Sequence, residues 1–152
     1  MKVLLVEDEE HKANDLTARL YKLGIAKHDL TTVSGVRHAV LHVTEGHFSL
    51  IIVDMALPTF SDISSEGSGG GDAQAVGGIE VLRALFAAGV SSTIIIVTQY
   101  PDIIVSGTRV RLTSAARVLS KKYKQNVLGA VLYSYKSPDW ETAFDTLVRK
   151  AQ

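Results

Sequence analysis

Three short apolar runs contain no polar residue at all: Val3-Leu4-Leu5-Val6, Leu50-Ile51-Ile52-Val53 and Ile94-Ile95-Ile96-Val97. Each is the length of a strand and too short for a membrane span. A strand on a half-exposed sheet alternates apolar and polar residues, because successive side chains point to opposite faces. A strand without alternation is covered on both faces, and that is the situation of a parallel sheet sandwiched between helices.

The stretches between these runs carry the helical period. Glu10 to Lys22 places Leu16, Leu20 and then Leu23 at helical spacing, with Gly24 as its stop. Asp29 to Val33 reads as a weaker strand. Val36, Val40 and Val43 mark a second helix, closed by Gly46. His47 to Asp54 holds the second central strand, and Ile79 to Ala88 reads as a helix ended by Gly89. Thr93 to Thr98 is the fourth strand. Arg111 to Tyr123 is helical, with Ala115, Leu119 and Tyr123 on one face. Val127 to Tyr133 is a further strand, and Pro138 suits the first turn of a last helix ending at Ala151. Strand and helix thus alternate five times, which predicts a doubly wound parallel sheet of five strands. Such sheets bind ligands at the carboxyl ends of their strands.

The 152 residues suit one domain, expected over 1-152. One segment departs from the rhythm: Ser61 to Gly78 is rich in Gly, Ser and Asp, and is expected to be a flexible insertion. Its Gly69 to Gly71 is not followed by the Gly-Lys-Ser/Thr of a phosphate-binding loop, so a plain loop is the preferred reading. Sixteen Lys and Arg balance sixteen Asp and Glu, which argues against nucleic acid as the main partner. The chain has no Cys, hence no disulfide or thiolate metal site. No secretory leader, membrane segment or solenoid repeat is visible, and a cytoplasmic location is expected.

The strand ends carry the chemistry. Glu7 and Asp8 follow the first strand, Asp54 follows the third, and Thr98 ends the fourth. Carboxylates about 5 Å apart repel by roughly 3 kcal/mol at an effective dielectric near 20. Such a group protonates, stays solvated or binds a cation, and a hard divalent ion with oxygen ligands is the natural occupant. A carboxylate aimed at that ion can attack a phosphoryl group. Glu9 and Glu10 read better as acids favouring a helix start. The five His residues show no paired ligand spacing.

In this order the residues resemble response-regulator receiver domains of two-component signalling. Val3 to Glu9 looks like the receiver opening, an apolar strand followed by an acidic pair. Asp54-Met55-Ala56-Leu57-Pro58 resembles the phosphoacceptor motif, and Gly129 to Lys136 is similar to the stretch around the fifth strand. The resemblance implies the flavodoxin-like (βα)5 fold. It implies Asp54 as the phosphoacceptor, with Asp8, Asp54 and the Ala56 main-chain carbonyl holding Mg2+, and Glu7 among the metal residues through water or at the edge of the site. It further implies Thr98 and Lys136 as partners of the phosphoryl oxygens, and Tyr133 as the switch aromatic. The implied partners are a histidine kinase or phosphotransfer protein and an output protein, with a homodimer left open. The chain would be a signalling switch and not an enzyme, beyond weak self-catalysed phosphorylation and dephosphorylation.

Three departures from the family stand out. About sixteen residues are inserted between Asp54 and Gly78, the Gly that opens the third helix. Thr98 is followed by the bulky Gln99 and Tyr100 where a small residue is usual, which narrows access to Asp54. The stretch from Thr98 to Lys136 is long, and Ser137 separates Lys136 from Pro138, so the family's cis Lys-Pro bond is absent or moved to Ser137-Pro138. Two other readings stay open, the first motivated by the insertion and Gln99. One is a receiver-like interaction module that works without phosphorylation. The other is a Mg2+-dependent phosphohydrolase, which Ala56 argues against because an acid/base Asp is often needed there.

Overall fold

The computed structural model describes residues 1–58 and 77–152. Residues 61–76 of the expected insertion lie outside them, whereas its last two residues, Gly77 and Gly78, open a helix. In chain order the elements are β1 (Val3–Val6), α1 (Glu10–Lys22), β2 (Leu30–Val33), α2 (Val36–Glu45), β3 (Leu50–Val53), α3 (Gly77–Ala87), β4 (Thr93–Thr98), β5 (Asp102–Val105), β6 (Thr108–Arg111), α4 (Leu112–Tyr123), β7 (Asn126–Leu132) and α5 (Asp139–Ala151).

Five strands form one parallel sheet in the order β2-β1-β3-β4-β7. The side chains of β1 divide by parity, as a strand requires. Leu4 and Val6 join Ile51, Val53, Ile94 and Ile96 under α2, α3 and α4, whereas Val3 and Leu5 join Leu50, Ile52, Ile95 and Val97 under α1 and α5. This two-sided cover is why the three apolar runs lack alternation. Burying each such side chain contributes about 1.5–3 kcal/mol. On the second face Arg19 of α1 also grips Asp145 of α5 through two hydrogen bonds of 2.7 and 2.5 Å.

The extra length after Thr98 is a hairpin that the periodicity did not reveal. Strands β5 and β6 pair antiparallel, joined at Ser106 and Gly107, whose φ values are 52° and 78°. Positive φ at both central residues is what a two-residue type I′ turn requires. Ile103 and Val105 pack into the core beside α4. The sequence signal was there, because Ile103-Ile104-Val105 and Arg109-Val110 flank a Ser-Gly pair. Among the described residues every peptide bond is trans, Ser137–Pro138 included. No helix among them is long and apolar enough to cross a membrane.

Candidate functional site

The ladder of the sheet continues one residue past the strands and sets the acidic groups side by side. The Glu7 N–H donates to the Val33 carbonyl at 3.0 Å, and the Asp54 N–H donates to the Val6 carbonyl at 3.2 Å. Carboxylate oxygens of Glu7, Asp8 and Asp54 then lie within 4.8 Å of one another. Glu7 and Asp54 are buried and Asp8 is exposed. Each buried acid is held by the main chain: Ala56 N–H donates to Asp54 Oδ1 at 2.9 Å, and Glu9 N–H to Glu7 Oε2 at 3.1 Å.

The other oxygens of both acids meet an ammonium that the sequence reading did not single out. Lys12 Nζ is 2.6 Å from Glu7 Oε1, 3.1 Å from Asp54 Oδ2 and donates to the Val97 carbonyl at 2.9 Å. Three acceptors satisfy its three donors, which is what permits a side chain of 0% exposure to carry a charge there. Lys12 lies on the buried stripe of α1 with Leu16 and Leu20, at intervals of four. A Lys in phase with the apolar stripe, just after an acidic pair, was the signal that could have found it.

Burial pushes the Glu7 carboxyl up from 4.5 to about 7, Lys12 pulls against that, and the Asp54 charge adds to it. Three carboxylates against one ammonium leave a surplus of two negative charges when all are ionised. An all-oxygen donor set with that surplus fits a divalent cation, with Asp8 as the most open ligand.

Of the remaining candidate residues, Thr98 ends the neighbouring strand β4, whereas the Tyr133 and Lys136 side chains point away from the acidic group. Thr98 is fully buried at the end of β4, and its Oγ1 accepts the Tyr100 N–H at 3.4 Å. Gln99 Nε2 donates to Glu9 Oε2 at 2.6 Å, joining the loop after β4 to the loop after β1. The Tyr133 N–H donates to the Thr98 carbonyl at 2.8 Å. The Tyr133 ring is buried against Trp140, with centroids 5.1 Å apart, and its hydroxyl donates to Asp15 Oδ2 of α1 at 2.5 Å. Burial and that acid push the phenol up. Lys136 sits elsewhere, with its Nζ 5.9 Å from the Tyr135 ring centre, on a surface pocket shared with Asp15, Arg19 and Glu141.

A doubly wound five-stranded parallel sheet with an acidic rim at its carboxyl edge is the receiver-domain fold of response regulators. The comparisons agree with that assignment of fold. The N-terminal domain of a response regulator/sensory box/GGDEF protein from Carboxydothermus hydrogenoformans superposes with a TM-score of 0.63 at 19% identity, covering 99% of this chain and 93% of that one. The response regulator TrrA of Thermotoga maritima, solved in complex with Mg2+-BeF, gives a TM-score of 0.58 at 19% identity over 97% and 99% of the two chains. In sequence the chain is 28% identical over 141 residues to the Detocs response regulatory protein DtcB of Vibrio alginolyticus, covering 91% of this chain and 93% of the relative. No protein-family model matches.

Proposed function

We propose that the chain is a phosphoacceptor switch of a two-component system, in which Asp54 takes a phosphoryl group with Mg2+ bound by Glu7, Asp8, Asp54 and the Ala56 carbonyl. The observation that carries this reading is the meeting of Asp54 with two further carboxylates and a buried ammonium at one strand-end rim. The cation would neutralise the charge on the transferring group. Ala56 N–H and Lys12 orient the Asp54 carboxylate, and the Thr98 hydroxyl stands at the neighbouring strand end.

The donor is a histidine kinase or phosphotransfer protein, and the setting is the cytoplasm. The chain acts through protein contact and not as an enzyme turning over a substrate. The output surface is the one built by α4, β7 and α5. It carries the exposed Leu132 beside Pro101 and Leu112 at the foot of the hairpin. Modification of Asp54 changes the population of that surface through Thr98 and Tyr133.

Incubation with Mg2+ and acetyl phosphate tests the reading by intact mass. Wild type is expected to gain one labile phosphoryl group and Asp54→Asn none. A wild type that takes no adduct, or an adduct that persists in Asp54→Asn, overturns it. The Gln99–Glu9 hydrogen bond beside the site favours a second reading, a receiver-like module that binds its partner without phosphorylation. Partner binding unchanged in Asp54→Asn would support that alternative.

A further inference from the structure

We infer that Lys12, projecting from α1, is the lysine that serves the Asp54 phosphoryl site, and that Lys136 is dispensable for the reaction. The inference rests on the phosphoacceptor reading above. Lys12 Nζ touches the reacting carboxylate at 3.1 Å, while Lys136 lies on the outer pocket against Tyr135. The position of Lys12 is over-determined. The Glu7 carboxylate and the Val97 carbonyl hold its ammonium from two other directions, and the stem is buried on the stripe of Leu16 and Leu20. An ammonium so fixed has little freedom to lose when charge develops beside it, which is the condition for strong electrostatic stabilisation.

The charge balance shows what it does. With acetyl phosphate as donor, an Asp54 oxygen bonds to phosphorus while the bond from phosphorus to the acetate oxygen breaks. The electron pair leaves with acetate, and no proton is transferred. The Asp54 side chain passes from one negative charge to two, if the phosphoryl group is fully ionised. That charge lies on the phosphoryl oxygens, and Lys12 is the cation already in contact with the carboxylate that receives them. It also neutralises Glu7, which would otherwise repel the incoming phosphoryl group. A point charge suits this task, because the ammonium can redirect one of its three donors to a phosphoryl oxygen without leaving the other two acceptors.

Two experiments separate the two lysines. In the first, folded wild type is treated with an acetylating N-hydroxysuccinimide ester, which reaches exposed amines such as Lys136 and spares the buried Lys12. The product is then given Mg2+ and acetyl phosphate. Peptide mapping is expected to show Lys136 acetylated, Lys12 unmodified and the Asp54 adduct still formed. In the second, Lys136→Met is expected to form adduct within about twofold of wild type, and Lys12→Gln to slow it about a hundredfold, the effect of removing one fixed donor at a developing charge. A Lys136→Met chain that folds but takes no adduct overturns the inference. So does a folded Lys12→Gln chain that matches wild type. Should Lys12→Gln fail to fold, Lys136→Met and the acetylated wild type decide by themselves. A direct signature comes from lysine-ammonium 15N spectra: the protected Lys12 resonance is expected to shift when Asp54 is modified, and an unmoved resonance counts against the role. Absence of any adduct on untreated wild type refutes the phosphoacceptor reading itself, a result distinct from loss of adduct in one lysine variant.

Discussion

Lys12 and Asp54 form a buried ion pair, Nζ to Oδ2 3.1 Å, between the first helix and the end of the third strand. Removing one partner of such a pair strands the other in a low-dielectric surround, and here it strands Glu7 as well. Lys12→Met is therefore expected to destabilise the fold by about 3–5 kcal/mol. Urea unfolding without metal measures it. A loss under about 1 kcal/mol would mean that water reaches both acids freely.

Glu7 makes stability depend on pH. Its carboxyl titrates near 7 in the fold against an ordinary value of 4.5. Below 4.5 both folded and unfolded chains hold the proton, and Glu7 costs nothing. As pH rises, the unfolded chain releases its proton first, so the fold is progressively disfavoured until pH passes 7. The full loss is about 3 kcal/mol. Metal-free wild type should thus weaken relative to Glu7→Gln between pH 5 and 8, by urea unfolding at both ends of the range. Asp54→Asn removes a charge that raises Glu7 and should lower its midpoint in a 13C carboxyl titration. Parallel pH profiles for wild type and Glu7→Gln would contradict this.

Gly78 is a point of close approach between α3 and the Asp54 turn. A Cβ there would stand 2.6 Å from the Asp54 carbonyl and from Met55 Cα, both main-chain atoms that yield only at a cost. Ala ordinarily gains about 1 kcal/mol over Gly inside a helix. Gly78→Ala is instead expected to lose about 1–3 kcal/mol through overpacking. A raised melting temperature for this variant would sink the prediction.

Gln99 joins Glu9 across the loops flanking Asp54, and breaking that hydrogen bond should ease access. With a bond of about 1 kcal/mol, Gln99→Ala is expected to speed both formation and loss of the Asp54 adduct about fivefold. Radiolabel chase reads both rates. Wild type, with Gln99 narrowing the approach and Ala56 unable to orient a water, is expected to hold its adduct for much longer than seconds. Unchanged rates in Gln99→Ala would remove any gating role from this contact.

The parallel sheet was legible because its cause is local. An unbroken run such as Leu50 to Val53 reports cover on both faces wherever it occurs, and a polar residue directly after it falls at the strand end. Glu7, Asp8, Asp54 and Thr98 could therefore be placed at one rim from the sequence. The hairpin from Asp102 to Arg111 was missed because runs of four residues with one Ser-Gly pair compete poorly with a neighbouring helical pattern. Which ammonium meets Asp54 depended on no local pattern at all. Lys12 reaches it because α1 docks with its Lys12, Leu16 and Leu20 stripe facing the sheet, whereas Lys136 follows β7 on an outward loop. Periodicity determined which residues face inward. Only the packing of helix on sheet decided which inward-facing charges touch, since contacts between distant segments are set by docking and not by spacing along the chain.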